Sequence, residues 1–368
     1  MEKSYVTNLY PDTSAPGGQT PGQAITANFS RARSRGSDNP PAMPDHAPAR
    51  PHLLIAHASA ASAAGLAARK ALRLPNLDAL LGRLAPQGGT PARPDDDEYT
   101  LSAPHERVLA EAHGWSGADG RWPWAAASAA DDGLRADDDT SGAPWGLLTP
   151  VHWHVGSDQI ALVDPAALAL TEAESRTLFD LLQPSFDAEG WSLQWGAPLR
   201  WYVRHAALAD LPSASLDRAI GRNLDLWLSD APQTRKLRRL QVEAQMLWHE
   251  HDVNESREAA RLLTVNSFWL SGCGTAQPRR SLGDLDVELR LRAPLLANEW
   301  ADWVAAWHAL DAGPIAALLQ RAEAGEPVTL TLCGERLAQT WTPRPQGWWS
   351  RLLGRSRPAS AVAVLESL

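Results

Sequence analysis

The sequence is poor in the features that would crosslink a fold or place it in a membrane. Only Cys273 and Cys333 are cysteines among 368 residues, so a disulfide framework and a CxxC zinc or redox site are both excluded. The sequence has no apolar run of about eighteen residues, and no cationic segment followed by an apolar stretch at its N-terminus. We therefore expect a soluble, cytoplasmic protein without a transmembrane segment.

Phenylalanine and tyrosine are also scarce, with four of each against seventeen tryptophans. We expect most tryptophans to pack in cores, which is their commoner role than stacking on bases. The formal net charge is −9, with acidic clusters at 95–98, 131–132 and 137–139. This balance argues against a nucleic-acid partner.

Residues 1–50 are rich in Pro, Gly, Ser and Ala and show no apolar period, which predicts a disordered tail. Order is expected to begin with a strand at 52–55. Leucines at helical spacing then follow Pro75, which predicts a helix there. A further helix is predicted from Ser102 to His113.

The pattern is densest between 150 and 275 and predicts an α+β unit. Thr171 and Glu174 form a capping-box pair that opens a helix, and apolar residues at helical spacing predict another helix over 235–250. Strands are predicted near 151–155, 159–163, 191–195 and 199–203.

After residue 280 the predicted elements alternate in α/β fashion. They are a strand at 287–291, a helix over about 298–310, a helix after Pro314, and a strand at 328–332.

Residues 252–274 join a helix end to a short apolar strand and a Gly-x-Gly turn, which is the architecture of a ligand site. The residues of interest in this segment are Asn254, Arg257, Asn266, Trp269, Gly272 and Gly274. Their order resembles that of the archaeal-type cofactor-independent phosphoglycerate mutases, a branch of the alkaline-phosphatase superfamily. Arg200 and Asp217 resemble further elements of that family, and a closer resemblance is to the proteobacterial regulatory RpfE-type proteins.

This resemblance implies an α/β fold: an alkaline-phosphatase-like core with a mostly parallel sheet flanked by helices, plus an inserted, smaller α+β domain. The implied division has five parts. They are a disordered tail (1–50), the first half of the core with acidic loops (51–148), the inserted ligand-type domain (149–275), the second half of the core (276–342), and a flexible Trp/Arg-rich tail (343–368).

Members of this family hold two metal ions that activate a serine for phosphoryl transfer. The metal ligands that the family carries at strand ends are not matched here. The first strand runs into His57 instead of Asp-Gly, the strand near 332 leads to Cys333 and Glu335 instead of Asp-His, and Pro294 is followed by leucines. The resemblance therefore implies a protein without catalytic residues, metal or other cofactor.

The leading hypothesis is a catalytically degenerate phosphoglycerate-mutase-like protein with a binding or regulatory role. Its ligand would be an acidic phospho-metabolite, or it would act on a regulatory protein partner. The candidate ligand-binding residues are Arg200, Asp217, Asn254, Arg257, Asn266, Trp269, Gly272 and Gly274.

Two alternatives stay open. One is an active mutase or phosphatase with an atypical set of zinc or manganese ligands, for which His57, His152, His154 and Glu335 are the candidates. The other is a scaffold that binds another protein through the N-terminal tail and the tryptophan-rich C-terminal segment.

Overall fold

The computed structural model describes residues 50–87, 99–134, 142–157, 159–228, 234–344 and 360–368. Residues 1–49 of the predicted tail (1–50) and the segment 345–359 lie outside these ranges. None of the helices within the described ranges has the length and apolarity needed to cross a bilayer.

The strands are β1 (His52–Ile55), β2 (Leu84–Pro86), β3 (Trp145–Val151), β4 (Trp153–Val155), β5 (Ile160–Leu162), β6 (Ser192–Ala197), β7 (Arg200–Arg204), β8 (Ser267–Gly274), β9 (Leu285–Glu288), β10 (Thr329–Cys333) and β11 (Ala338–Pro343). The α-helices are α1 (Ala63–Lys70), α2 (Pro75–Arg83), α3 (Pro104–Ala112), α4 (Trp124–Asp131), α5 (Glu172–Ala188), α6 (Leu216–Ala219), α7 (Thr234–His249), α8 (Asp252–Ala259), α9 (Arg292–Leu296), α10 (Trp300–Leu310), α11 (Ala316–Glu323) and α12 (Ala361–Glu366). Short 3-10 helices lie at Pro165–Leu168, Ala206–Leu208 and Leu224–Leu226.

The first sheet has the strand order β2-β11-β10-β1-β9. β1 pairs in parallel with both β10 and β9, whereas β11 pairs antiparallel with β10 and with β2. The predicted mostly parallel sheet is therefore a mixed sheet that is parallel at β9, β1 and β10 only. The reason is the short connection of residues 334–337, since a turn of that length can only return the chain antiparallel.

The second sheet is antiparallel, with the order β6-β7-β3-β8, and β4 and β5 form a separate two-stranded hairpin. β3 lies inside this sheet and is buried along its whole length. The strand predicted at 151–155 shares only Val151 with β3, so β3 is not predicted from the sequence.

The two sheets and three hydrophobic cores form alternating layers. Successive side chains of a strand point to opposite faces, and Leu54 of β1 accordingly contributes to one core while Leu53 and Ile55 contribute to another. We call the first of these the inner core, because it also receives Trp145 of β3 and Trp269 of β8 and thus lies between the sheets. α3, α4 and α6 contribute to this layer.

The outer cores cover the far faces of the sheets. Side chains of α2, α10, α11 and α12 pack against the first sheet, and side chains of α5 and α7 pack against the second. Every residue of the core on the second sheet comes from 148–273. The inner core nevertheless joins that segment to the first sheet, so an inserted domain over 149–275 stays a prediction.

The structure differs from the sequence analysis near the C-terminus. Residues 343–368 were expected to be a flexible tail, but α12 is a helix whose Val364 and Leu365 are buried against the first sheet's outer core. A helix of only six residues is too short to show a helical apolar period in the sequence.

The helices predicted on either side of Pro314 are joined into one. A π-turn at Asp311–Ile315 connects α10 to α11, and its wider hydrogen-bonding step accommodates the missing N–H of Pro314. Asp311 is buried there and accepts hydrogen bonds from the N–H groups of Asn76 and Leu77 at the start of α2.

Candidate functional site

Two histidines and one aspartate meet in the inner layer of the molecule. His57 Nε2 lies 3.1 Å from Asp217 Oδ2, and His105 Nε2 lies 3.7 Å from the same oxygen. One potential ligand atom of each residue lies within 4.8 Å of those of the other two. All three side chains are buried, and His57 is the most accessible of them with 10% of its side chain exposed. We call His57, His105 and Asp217 the histidine–aspartate cluster.

His57 reaches this position from the carboxyl end of β1. Ligand sites in α/β folds lie at the carboxyl ends of parallel strands, which is the edge where β1, β9 and β10 end together. The backbone of His57 has a φ of +56°, a conformation that costs a non-glycine residue on the order of 1 kcal/mol or more. Trp303 Nε1 donates a hydrogen bond to the His57 carbonyl at 3.3 Å and supports this turn.

His105 and Asp217 are supplied by the first turns of two helices. Pro104 opens α3, and the Glu106 carboxylate accepts a hydrogen bond from the Ala103 N–H at 2.8 Å, which fixes the turn that carries His105. α6 is a short helix that places Asp217 opposite both imidazoles.

Arg292 contacts Oδ1 of Asp217, the carboxylate oxygen that the two histidines do not face. It follows β9 at the start of α9, and its Nε donates to Asp217 Oδ1 at 2.7 Å while its Nη1 donates to Asp164 Oδ2 at 3.0 Å. Burial alone would raise the pKa of Asp217, but the charge of Arg292 and the hydrogen bond from His57 outweigh it and hold that pKa far below its usual value. Asp217 is therefore an anion at neutral pH.

The neighbouring groups are held in their neutral forms. Burial, reinforced by the charge on His57, lowers the pKa of His105 to about 3. Burial, reinforced by the charge on Asp217, raises the pKa of Glu106 to about 8. At neutral pH the cluster thus contains a neutral imidazole at His105, and the adjacent Glu106 carries a protonated carboxyl group.

Four arginines gather around the segment that follows β10. Arg218 Nη1 donates to the Glu335 carbonyl at 2.9 Å, Arg222 forms an ion pair with the Glu335 carboxylate, and Arg107 Nη2 donates to the Arg336 carbonyl at 3.0 Å. Burial, followed by the charge of Arg222, lowers the pKa of Arg218 to about 10. We call Arg107, Arg218, Arg222 and Arg336 the arginine group.

A cavity of about 450 Å³ opens at the same edge. Its lining includes Ser59, Ala61, Arg69, Glu335 and Arg336. The Ala61 N–H donates to Glu335 Oε2 at 2.8 Å, so this carboxylate lies between a backbone donor and Arg222. The cavity is large enough for a small metabolite.

The predicted ligand-binding residues are mostly engaged in structural contacts. Arg200 makes two hydrogen bonds of 2.9 Å to Asp132. Arg257 is buried, with Nε donating to the Leu263 carbonyl and Nη1 to Glu174 at 2.8 Å. These contacts favour a structural role, and ligand binding by Arg200 and Arg257 stays a prediction.

The asparagines of the same segment hold backbone groups. Asn254 donates from Nδ2 to the carbonyls of Trp248 and Val265, each at 2.8 Å, and accepts from the Val265 N–H. Asn266 pairs with the backbone N–H and carbonyl of Trp153. Each of these two side chains thus links backbone segments at or next to the second sheet by hydrogen bonds.

Trp269, Gly272 and Gly274 form part of the packing between β8 and α4. Trp269 Nε1 donates to the Ala214 carbonyl at 3.0 Å. Gly272 has a φ of +63°, and a Cβ there would come within 2.9 Å of the Ala125 backbone nitrogen, so the close approach of α4 requires glycine. Of the eight predicted residues, Asp217 is the one that belongs to the histidine–aspartate cluster.

The structure does not gather the predicted atypical metal ligands into one group. Among the described residues, the donor atoms that lie close enough to hold a metal belong to His57, His105 and Asp217. His152 instead contacts the Thr264 carbonyl at 2.8 Å through Nδ1, and Glu335 is ion-paired with Arg222. His154 lies on β4 of the hairpin and is exposed.

Sequence reasoning missed His105, Glu106, Arg218 and Arg292. His105 and Glu106 stand beside Arg107 in a motif too common to single out. The one available signal was their position two and three residues into a helix opened by Pro104, where a polar side chain faces the preceding loop.

Comparisons with known proteins do not establish a family for this chain. No protein-family model and no curated protein matches the sequence. Among solved structures, the chain is similar to a cofactor-independent phosphoglycerate mutase from Thermoplasma acidophilum, with 13% identity and a TM-score of 0.33 over 86% of this chain and 95% of that one. It is also similar to the PH0037 protein from Pyrococcus horikoshii, with 12% identity and a TM-score of 0.35 over 81% and 88%.

The first of these structures has the name of the family that the sequence resembles. Identities of 12–13% and TM-scores of 0.33–0.35 do not establish membership of that family.

Proposed function

We propose that this chain binds an acidic, phosphate- or carboxylate-bearing metabolite at the carboxyl edge of its parallel strands, in a binding or regulatory role. The observation that carries the proposal is the arginine group around Glu335, beside the 450 Å³ cavity. The resemblance to the regulatory branch of phosphoglycerate-mutase-like proteins is the reason to expect a regulatory role.

The charge balance at this edge supports an anionic ligand. Arg222 pairs with the Glu335 carboxylate, and Arg218 and Arg107 donate to the carbonyls of Glu335 and Arg336, while the nearby Glu106 is protonated at neutral pH because burial raises its pKa to about 8. Guanidinium groups bind phosphate and carboxylate through paired hydrogen bonds, and the low dielectric constant of a partly buried edge strengthens such contacts. An incoming anion would relieve the crowding of positive charge.

The histidine–aspartate cluster argues against the dinuclear phosphoryl transfer of the mutases. Two-metal catalysis needs two cations about 3.5–4 Å apart, each held by several ligands. The described residues bring together three candidate ligands, and Arg292 already engages one oxygen of Asp217. This ligand set supports at most one ion.

Isothermal titration calorimetry with 3-phosphoglycerate, phosphoenolpyruvate and inorganic phosphate tests the proposal. We expect wild-type protein to bind at least one of these anions. Arg222→Gln should weaken binding about tenfold or more, since a charged hydrogen bond contributes about 1.5–3 kcal/mol. Glu335→Gln should tighten it, because the carboxylate that competes for Arg222 is neutralised.

Arg176→Gln is the matched control, because Arg176 is an exposed arginine paired with Glu172 on α5. It should leave affinity unchanged. The opposite signs expected for Arg222→Gln and Glu335→Gln separate ligand binding from general destabilisation. Absence of heat with all three anions, at low ionic strength where such contacts are strongest, would refute the proposal.

An active mutase or phosphatase that uses an atypical set of ligands for a single metal ion is the second candidate, favoured by the convergence of His57, His105 and Asp217. It predicts interconversion of 3- and 2-phosphoglycerate, or hydrolysis of a phosphomonoester, that is abolished by His105→Ala. A wild-type preparation supplied with zinc or manganese that turns over neither substrate would eliminate it.

A further inference from the structure

We propose that His57, His105 and Asp217 bind a single divalent transition-metal ion, with zinc as the best match. This site is separate from the arginine group, and its argument does not depend on anion binding. The proposal rests on the distances between the potential ligand atoms. Asp217 Oδ2 lies 3.1 Å and 3.7 Å from the two imidazole nitrogens. Tetrahedral ligands about 2.0–2.1 Å from zinc lie roughly 3.3 Å from one another, so side-chain shifts on the order of 1 Å complete the geometry.

The donor types select the class of ion. Two imidazole nitrogens and one carboxylate oxygen suit zinc, cobalt or iron, whereas magnesium and calcium require six or more oxygen ligands. Three protein ligands also leave one position of a tetrahedral ion open. His57 is the most accessible of the three ligands, with 10% of its side chain exposed.

The surroundings orient the ligands as a metal site requires. Arg292 occupies Oδ1 of Asp217 and leaves Oδ2 directed at both imidazoles. The bond from Trp303 to the His57 carbonyl supports the left-handed turn that presents the imidazole. In protein metal sites, the histidines and carboxylates that bind the metal are usually oriented by hydrogen bonds from surrounding residues.

The nearest cation, Arg292, does not exclude an ion. Its guanidinium is shared between Asp217 and Asp164, and it contacts Asp217 on Oδ1, the oxygen opposite the imidazoles. A cation held by both imidazoles would approach the other oxygen, Oδ2.

Cobalt titration of chelator-treated wild-type protein tests the site, because tetrahedral Co²⁺ develops visible absorption that hexaaquo Co²⁺ lacks. We expect saturation at one equivalent per chain and displacement of Co²⁺ by Zn²⁺. His57→Ala and His105→Ala should each weaken Co²⁺ binding at least tenfold. Wild-type protein that binds no Co²⁺ or Zn²⁺ would overturn the proposal, and this arm does not depend on any variant folding.

His113→Ala is the matched control. His113 is also a buried histidine near α3, but its Nδ1 contacts the Arg280 carbonyl and it lies outside the cluster. This variant should keep the Co²⁺ spectrum. Retention of that spectrum by both His57→Ala and His105→Ala would also overturn the proposal, and His57→Gln, with far-UV circular dichroism, checks that loss of metal does not reflect loss of fold.

Discussion

The ionised form of the Glu106 side chain is unfavourable in the inner layer of the folded protein. Burial, followed by the charge on Asp217, raises its pKa from 4.5 to about 8. Between these two values the folded chain keeps the proton and the unfolded chain releases it. Stability therefore falls as pH rises across this window, and the protonated carboxyl is the form that the fold favours.

Glu106→Gln should remove this dependence in the metal-free protein. Wild-type free energy of unfolding should lose up to about 1.4 kcal/mol per pH unit between roughly pH 5 and 8 from this group, and the variant should lose less. Glutamine keeps an oxygen for the Ala103 N–H, so the helix start is preserved. Urea unfolding across the pH range measures the difference, and identical slopes for both proteins would contradict it.

Single residues of the site were only partly predictable from the sequence. His57 and Asp217 drew attention through their positions after a strand and in a family-like motif. His105 and Arg292 come from segments far away in sequence, and no spacing rule connects them to the other two. Their proximity arises from strand pairing and helix packing, which a single sequence does not encode as a local pattern.

The segment 252–274 shows a second limit of sequence reasoning. Asn254, Arg257 and Asn266 look like ligand-binding residues because they are polar side chains around a Gly-x-Gly strand. In the structure they satisfy backbone groups and one carboxylate in the interior, and buried groups of this kind must be paired. Polar residues that close a buried junction and polar residues that bind a ligand have the same sequence signature.

Elements with strong local signals were predicted well. The capping box of α5 is confirmed by Thr171 and Glu174, and the apolar face of α7 packs into the second sheet's outer core. β11 and α4 were missed: β11 mixes polar residues with Trp341 and Pro343, and α4 is almost uniformly alanine. Neither pattern has a period that separates helix from strand.

α12 should contribute measurably to stability despite its length. Leu365 is fully buried in the outer core of the first sheet. Leu365→Ala should lower the free energy of unfolding by about 2–5 kcal/mol, because it leaves a cavity. Val362→Ala on the same helix, where the side chain is only half buried, should cost less. Urea titration of both variants compares them, and a neutral Leu365→Ala would mean that this helix does not pack as described.

At the scale of the whole molecule, the inner core joins the two sheets. Leu54 and Cys333 of the first sheet pack in one cluster with Trp145, Tyr202 and Trp269 of the second. Side chains shared in this way make the stability of each sheet depend on the other.

We therefore expect both sheets to unfold together. Far-UV and near-UV circular dichroism should report coincident urea transitions, with near-UV signals carried by the buried tryptophans. Trp145→Phe, which truncates an inner-core side chain, should shift both transitions equally. Two well-separated transitions would instead indicate that residues 149–275 fold as an independent domain.

The pairing of β1 has a consequence for biosynthesis. Its partners β9 and β10 are made more than two hundred residues after it, so Leu53, Leu54 and Ile55 leave the ribosome long before their neighbours exist. At about 5–20 residues per second, the interval is on the order of 10–50 s. The antiparallel sheet closes earlier, and throughout that delay the nascent chain must keep an apolar strand from aggregating.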